Sequence, residues 1–166
     1  MKLVLDASVI IAFFRELDDG QFLYALTKKG FEIYVTDGVI VEVKKEPELS
    51  RLRQAIREGW IGSKSVEKHE FDRLKNVYPM LDYAEVEVLI CCLRFRSYDE
   101  EYCCVLDEGP GRKIADSLNL AKTGTLGLLK ILEDNKIIDT ECTEKLLNKL
   151  EQSTFRLRKH NQGITQ

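Results

Sequence analysis

Four acidic residues recur where a single edge of a sheet would collect them. Asp6 ends an apolar run, residues 3–5, that is too short for a helix and is typical of a buried strand. Asp107 ends a second such run, and Glu42 and Glu85 fall near the starts of predicted helices. Because open α/β sheets bind ligands outside the carboxyl ends of their strands, these positions predict a functional site.

The residue types indicate which chemistry that site could perform. Neighbouring carboxylates repel unless a cation neutralises them, and hard oxygen ligands without organised Cys or His favour Mg²⁺ or Mn²⁺. The chain has two histidines, neither in a motif, so Ser-His-Asp and Cys-His catalysis have little support. It also lacks a Gly-rich phosphate loop. Metal-assisted phosphodiester hydrolysis remains, with four candidate catalytic and metal-binding residues: Asp6, Glu42, Glu85 and Asp107.

Each acid also has a structural interpretation. Asp6 or Ser8 could simply cap the helix that follows the first strand. Asp82 and Glu85 have the spacing of a capping box, which would give Glu85 a structural role beside a catalytic one.

The elements that must position these acids alternate along the chain. Apolar and β-branched runs predict strands at residues 3–5, 31–35, 102–106 and 120–122. Helices are predicted at residues 21–29, 36–43, 82–95, 112–118, 126–133 and 139–150, with caps at Thr36 and at 123–125. Residues 49–78 have a helical, weakly apolar pattern. This alternation predicts an α/β fold with a mostly parallel sheet and right-handed crossovers.

The helical stretch from Arg51 to Lys75 is rich in basic side chains. They indicate either a solvated surface or a basic rim that grips a phosphate backbone. Trp60, between two glycines, could stack on a base or anchor a junction between helices.

Bulk composition limits the class of protein. The chain has 166 residues, 44% hydrophobic and 32% charged, which suits one globular domain. We assign residues 1–155 to that domain and 156–166 to a basic and polar tail. A net charge of −3 disfavours a broadly basic coat without excluding a nuclease. Neither a membrane span nor a signal peptide is predicted, and five cysteines in apolar settings favour reduced thiols in a cytoplasmic protein.

Several segments together resemble the PIN-domain nucleases, in particular the archaeal and bacterial branch related to VapC toxins. They run in family order over nearly the whole chain, at residues 5–10, 41–43, 84–87, 105–108, 111–115 and 123–127. The resemblance implies a three-layer α/β/α, Rossmann-like fold. It also implies Mg²⁺- or Mn²⁺-dependent cleavage of single-stranded RNA, often by a homodimer, and a possible antitoxin partner.

The resemblance gives each acid a counterpart. Asp6 matches the first metal-binding acid, Glu42 the helix acid, Glu85 the acid that starts the long helix, and Asp107 the acid after the later strand. Ala84 stands where relatives often have glycine.

Three other positions near the last motif stay open. Glu108 and Asp116 are both candidates for an additional acid, and Asp116 could equally be a surface helix residue. Arg112 could contact phosphate or pair with an acid.

Three other functions compete with a toxin-like ribonuclease. One is a housekeeping RNA-processing nuclease, and another is a PIN-like module that binds RNA or protein without cleaving. A response-regulator receiver is the third, but it needs an acid pair near its first strand, and Asp6-Ala7 supplies none.

Overall fold

A five-stranded parallel sheet forms the centre of the protein. The computed structural model describes residues 1–17, 20–107 and 109–153. The sheet order is β3-β2-β1-β4-β5, and every pair of neighbours is parallel. The strands are β1 (Lys2–Leu5), β2 (Glu32–Thr36), β3 (Ile61–Lys64), β4 (Tyr102–Val105) and β5 (Lys122–Thr123).

Helices flank this sheet and complete the three-layer α/β architecture predicted from the sequence. The helices are α1 (Ala7–Ile11), α2 (Gln21–Thr27), α3 (Asp37–Glu42), α4 (Glu48–Arg57), α5 (Lys68–Val77), α6 (Tyr83–Ser97), α7 (Pro110–Ser117), α8 (Thr125–Asp134) and α9 (Thr140–Gln152). A π-helix, Ala12–Glu16, continues directly from α1. Across the described part of the chain, no helix has the length and apolarity needed to span a bilayer.

The strand order reverses beside β1. The chain moves outward from β1 to β2 and β3, and then returns to the other side of β1 with β4 and β5. Leu5 pairs with Val105, and the Asp6 N–H donates to the Val105 carbonyl at 3.0 Å. Asp6 and Asp107 therefore follow the two strands that flank the topological switch point, where α/β proteins commonly place their ligands.

Helix α6 packs at the centre of one layer. Every residue from Ala84 to Cys92 is buried, because the sheet, α3, α5 and α7 surround the helix. A helix covered on all sides has no polar stripe, so its hydrophobic periodicity is a weak signal in the sequence. Its start is nevertheless marked in the sequence, since Asp82 and Glu85 form the predicted capping box with both reciprocal hydrogen bonds.

One sequence expectation is wrong. Residues 49–78 are not helical throughout, because β3 lies between α4 and α5 and extends the sheet by one strand. Gly62 and Ser63 have low strand propensity, so local preference gave no indication of it. The strand is stabilised by tertiary contact instead. Gly62 pairs with Tyr34, and a Cβ on Gly62 would lie 2.7 Å from the Tyr34 ring.

The aromatic and basic residues of this region have identifiable contacts. The Trp60 ring lies 6.1 Å from that of Phe14 and 5.5 Å from that of Tyr24, between centroids, as expected for an anchor between elements. Arg51 donates to the Phe14 carbonyl, and Lys75 donates to the carbonyls of Pro79 (3.0 Å) and Leu81. These contacts give the two basic side chains structural roles. The predicted tail, 156–166, lies outside the described residues.

All five cysteines are free thiols, and they differ in accessibility. Cys91, Cys92, Cys103 and Cys104 are buried, whereas Cys142 is partly exposed. Burial raises the pKa of Cys91 to about 11 and that of Cys103 to about 12. Since the thiolate is the reactive form, these two thiols are doubly protected.

We therefore expect Cys142 to react first with a maleimide in the native protein, and the other four thiols to react only after denaturation. Mass spectrometry of the time course, with Cys142→Ser as the control, measures this order. Rapid labelling of four or five thiols without denaturant would contradict the packing.

Candidate active site

Ser8 lies close to the first and last of the predicted acids, Asp6 and Asp107. Asp6 occupies the N-cap position of α1 without a side-chain capping bond, so capping does not account for it. The Ser8 hydroxyl donates to Asp6 Oδ2 at 2.9 Å and lies close enough to Asp107 to lower the pKa of that carboxyl. One hydroxyl therefore lies between the carboxylates that follow β1 and β4.

Asp107 also holds the start of α8. Its Oδ1 accepts from the Thr125 N–H at 2.5 Å and its Oδ2 accepts from the Thr125 hydroxyl at 2.7 Å. The predicted cap at residues 123–125 is therefore supplied from outside that segment, because the N-cap residue is Gly124 and makes no side-chain bond. An acid at a strand end thus fixes the helix that follows the neighbouring strand.

Arg112 is placed differently from either sequence alternative. Its Nη1 donates to the carbonyls of Leu106 at 2.8 Å and Thr123 at 2.9 Å, so the guanidinium ties together the ends of two strands. Its positive charge also acts on Asp107. Burial raises the pKa of that carboxyl, and the charge of Arg112 opposes this larger effect.

Glu85 combines two structural contacts at the start of α6. Its Oε2 accepts from the Asp82 N–H at 2.9 Å within the capping box. Its Oε1 accepts from the Gly111 N–H, in the first turn of α7, at 2.8 Å. Glu85 is 5% exposed, so the neutralisation of its charge depends on these N–H groups.

Glu42 is exposed at the end of α3, and a second acid of α6 anchors that helix. Glu87, 3% exposed, accepts from the Gly38 N–H at 2.6 Å. The absence of a side chain at Gly38 permits this approach, because a Cβ there would lie 2.9 Å from Glu87 Oε2 and 3.2 Å from the Ala84 Cα. The position of Glu42 relative to α6 therefore depends on Glu87.

The acids perturb one another electrostatically. Burial raises the pKa of Asp6 from an ordinary value of 3.8 to about 7, and the charges of Glu42 and Asp82 add to the effect. Burial, followed by the charges of Asp82 and Glu85, raises the pKa of Glu42. Burial likewise raises the pKa of Glu85 and that of Asp107. Asp82 thus contributes negative charge to the same region.

This region is chemically suited to a hard divalent cation. Its donors are carboxylate oxygens, and their mutual repulsion is the kind that a cation relieves. The described residues nevertheless contain no group of three or more His, Cys, Asp or Glu side chains already arranged around one ion position. Glu85 and Asp107 each accept hydrogen bonds from protein groups on both oxygens.

The structure describes only one of the two candidates for an additional acid. Asp116 lies exposed on α7 and forms an ion pair with Lys122. Glu108 lies outside the described residues.

Sequence reasoning missed two contributors to this region. Glu87 was visible as a second acid within an apolar run, two residues after Glu85, where an unpartnered charge would be costly. Ser8 was weighed only as a cap, and nothing local indicated that its hydroxyl would lie between two strand ends.

A sizeable cavity lies elsewhere in the described structure. It has a volume of about 960 Å³ and is lined mainly by residues of α2, β2 and α4, with Trp60 among them. None of the four acids lines it.

The family comparison agrees with the three-layer α/β fold. A family model, DUF3368, described as a PIN domain, matches residues 2–162. The chain belongs to the PIN-domain family. PIN domains are generally nucleases that use divalent metal ions, so a nuclease-type function is indicated. A search of curated proteins found no match to this PIN domain.

The raised pKa of Asp6 predicts how the stability of the metal-free PIN domain depends on pH. The folded state holds the Asp6 proton more tightly than the unfolded chain, whose pKa is near 3.8. The resulting stabilisation is complete below that value and is lost as the pH rises through about 7. In EDTA, the free energy of unfolding should fall by on the order of 2 kcal/mol between about pH 5 and about pH 8.

Asp6→Asn removes the titrating group, so the free energy of unfolding of this variant should fall less over the same pH range. Asp116→Asn, at an exposed ion pair, should behave like the wild type. Urea denaturation at several pH values measures all three proteins, and equal falls in all of them would contradict the assignment.

The anchor of α3 predicts a graded loss of stability. Glu87→Ala leaves the Gly38 N–H without its acceptor and should cost about 1–3 kcal/mol, whereas Glu87→Gln retains an acceptor oxygen and should cost less. The exposed Glu144→Gln should change stability by less than about 0.5 kcal/mol. Chemical denaturation provides the values, and equal losses for the Ala and Gln variants would show that the hydrogen bond is unimportant.

Proposed function

We propose that this PIN domain is a Mg²⁺- or Mn²⁺-dependent endoribonuclease that cleaves single-stranded RNA, and that its catalytic and metal-binding acids are Asp6, Glu42, Glu85 and Asp107. The main support is the convergence of electrostatic effects at the switch point of the sheet. The charge of Glu42 raises the pKa of Asp6, and that of Glu85 raises the pKa of Glu42, at an edge where Ser8 donates to Asp6 and lies near Asp107.

A bound divalent ion would supply Lewis acidity to the phosphodiester and a more acidic water. The residues have separate tasks around it. Asp6 follows the central strand and provides negative charge there, held in orientation by Ser8. Glu42, exposed at the end of α3, can turn toward the edge without breaking a described hydrogen bond. Glu85 and Asp107 set the positions of α7 and α8 and add charge.

We also propose a more specific class of nuclease. The ordered motifs support a VapC-like enzyme that acts as a homodimer and is restrained by an antitoxin. A housekeeping RNA-processing nuclease would use the same acids. One observation favours a second class, a PIN-like binding module: the carboxylates of the described residues are not preassembled around one ion.

Cleavage of a mixed pool of single-stranded RNA separates a nuclease from a binding module. Asp6→Asn keeps the size of the side chain and removes its charge, so cleavage should fall by roughly 100-fold or more while the fold survives. Asp116→Asn should retain wild-type activity, because that acid lies exposed in an ion pair with Lys122. EDTA should abolish cleavage, and Mg²⁺ or Mn²⁺ should restore it.

Two results would overturn the proposal. If Asp6→Asn cleaves as fast as the wild type, the activity comes from another site or a contaminant. If the wild type cleaves neither RNA nor DNA with either metal, the binding module becomes the better explanation.

A further inference from the structure

Tyr83 is an exposed aromatic residue in a fixed position. It is the first residue of α6, immediately after Asp82, and 60% of its surface is accessible. The Phe71 ring packs against it with centroids 4.4 Å apart and planes tilted by 32°. On another side it packs on the backbone of Gly38, where a Cβ would lie 2.9 Å from its Cδ1. The ring is thus supported by α5 and α3 and still presents much of its surface to solvent.

This ring lies beside the acidic edge. Gly38 and Glu42 are four residues apart on α3, so they share a face of that helix one turn from each other. Val41, three residues after Gly38, is 70% exposed. A flat apolar contact therefore adjoins the carboxylate of Glu42.

The acids around the ring favour a small, flat occupant over an apolar protein surface. A protein packed on Tyr83 would also cover the nearby acids Asp82 and Glu42, and burying such charges without partners is costly. A single nucleobase covers only the ring and leaves the acids hydrated or bound to a cation. Lys44, exposed just beyond α3, has a charge that reaches Glu42 and could meet a phosphate.

We propose that Tyr83 stacks on a nucleobase of the single-stranded RNA and so positions the strand beside the acidic edge. This inference rests on the proposed nuclease function and adds a substrate-binding residue to it. Stacking on an aromatic ring tolerates any base, so Tyr83 would contribute affinity and register with little sequence preference.

Binding of fluorescein-labelled 12-nucleotide oligo(U) and oligo(A) RNA tests the proposal. The background is Asp6→Asn, with and without Mg²⁺, so that cleavage does not interfere. Tyr83→Leu keeps an apolar contact without an aromatic face and should raise Kd by about 5- to 100-fold, the effect of losing one stacked base. Tyr83→Phe should bind within about twofold of the parent, since stacking needs the ring and not the hydroxyl.

Tyr98→Ala is the matched control. Tyr98 is 75% exposed at the opposite end of the same helix, so its loss should leave Kd unchanged. In the metal-loaded protein with an intact Asp6, Tyr83→Leu should raise KM more than it lowers kcat. Melting temperatures of all variants show whether each one folds.

Each alternative outcome overturns the inference. Equal Kd values for folded Tyr83→Leu and its parent would show that stacking is not used, as would failure of the parent to bind either RNA. A lower light-scattering mass for Tyr83→Leu with unchanged RNA binding would assign the surface to contact between copies of the chain. Cleavage by the wild type with a KM insensitive to Tyr83→Leu would refute this inference alone. Tyr83-dependent binding without any cleavage would refute only the nuclease function.

Discussion

The hydrogen bond between a buried carboxylate and the first N–H groups of a helix is the interaction on which this structure depends. It occurs three times near the carboxyl edge of the sheet: Glu85 with Gly111, Asp107 with Thr125, and Glu87 with Gly38. Each bond satisfies an N–H that the helix itself cannot satisfy, and each places negative charge where the helix end is positive. The acids thereby fix the starts of α7, α8 and α3 around one edge.

This arrangement divides the acids into two groups. Glu85 and Asp107 are bound on both oxygens and support the fold as well as the charge of the edge. Asp6 instead follows the central strand, caps no helix, and has the pKa that burial displaces most clearly.

The sequence predicts much of this because the key features are local. The strand ends at Asp6 and Asp107 follow from short apolar runs, and the start of α6 follows from the spacing of Asp82 and Glu85. Strand β3 is not predicted because the position of Gly62 depends on packing against Tyr34, a residue distant in sequence. The role of Glu87 is not predicted for a similar reason. Its partner is a backbone N–H on another helix, and no pattern in the chain specifies that contact. The convergence of the four carboxylates on one ion stays a prediction.

The two groups of acids would be lost at different rates in a lineage that no longer needed catalysis. Replacement of Asp6 removes a carboxyl whose pKa is raised and leaves the helix starts intact, so drift should accept it early. Replacement of Glu85 or Asp107 leaves backbone N–H groups without acceptors, so selection for folding alone would retain both. A descendant that has become a scaffold should therefore still carry half of the acidic set, and those surviving acids would be poor evidence of enzymatic activity.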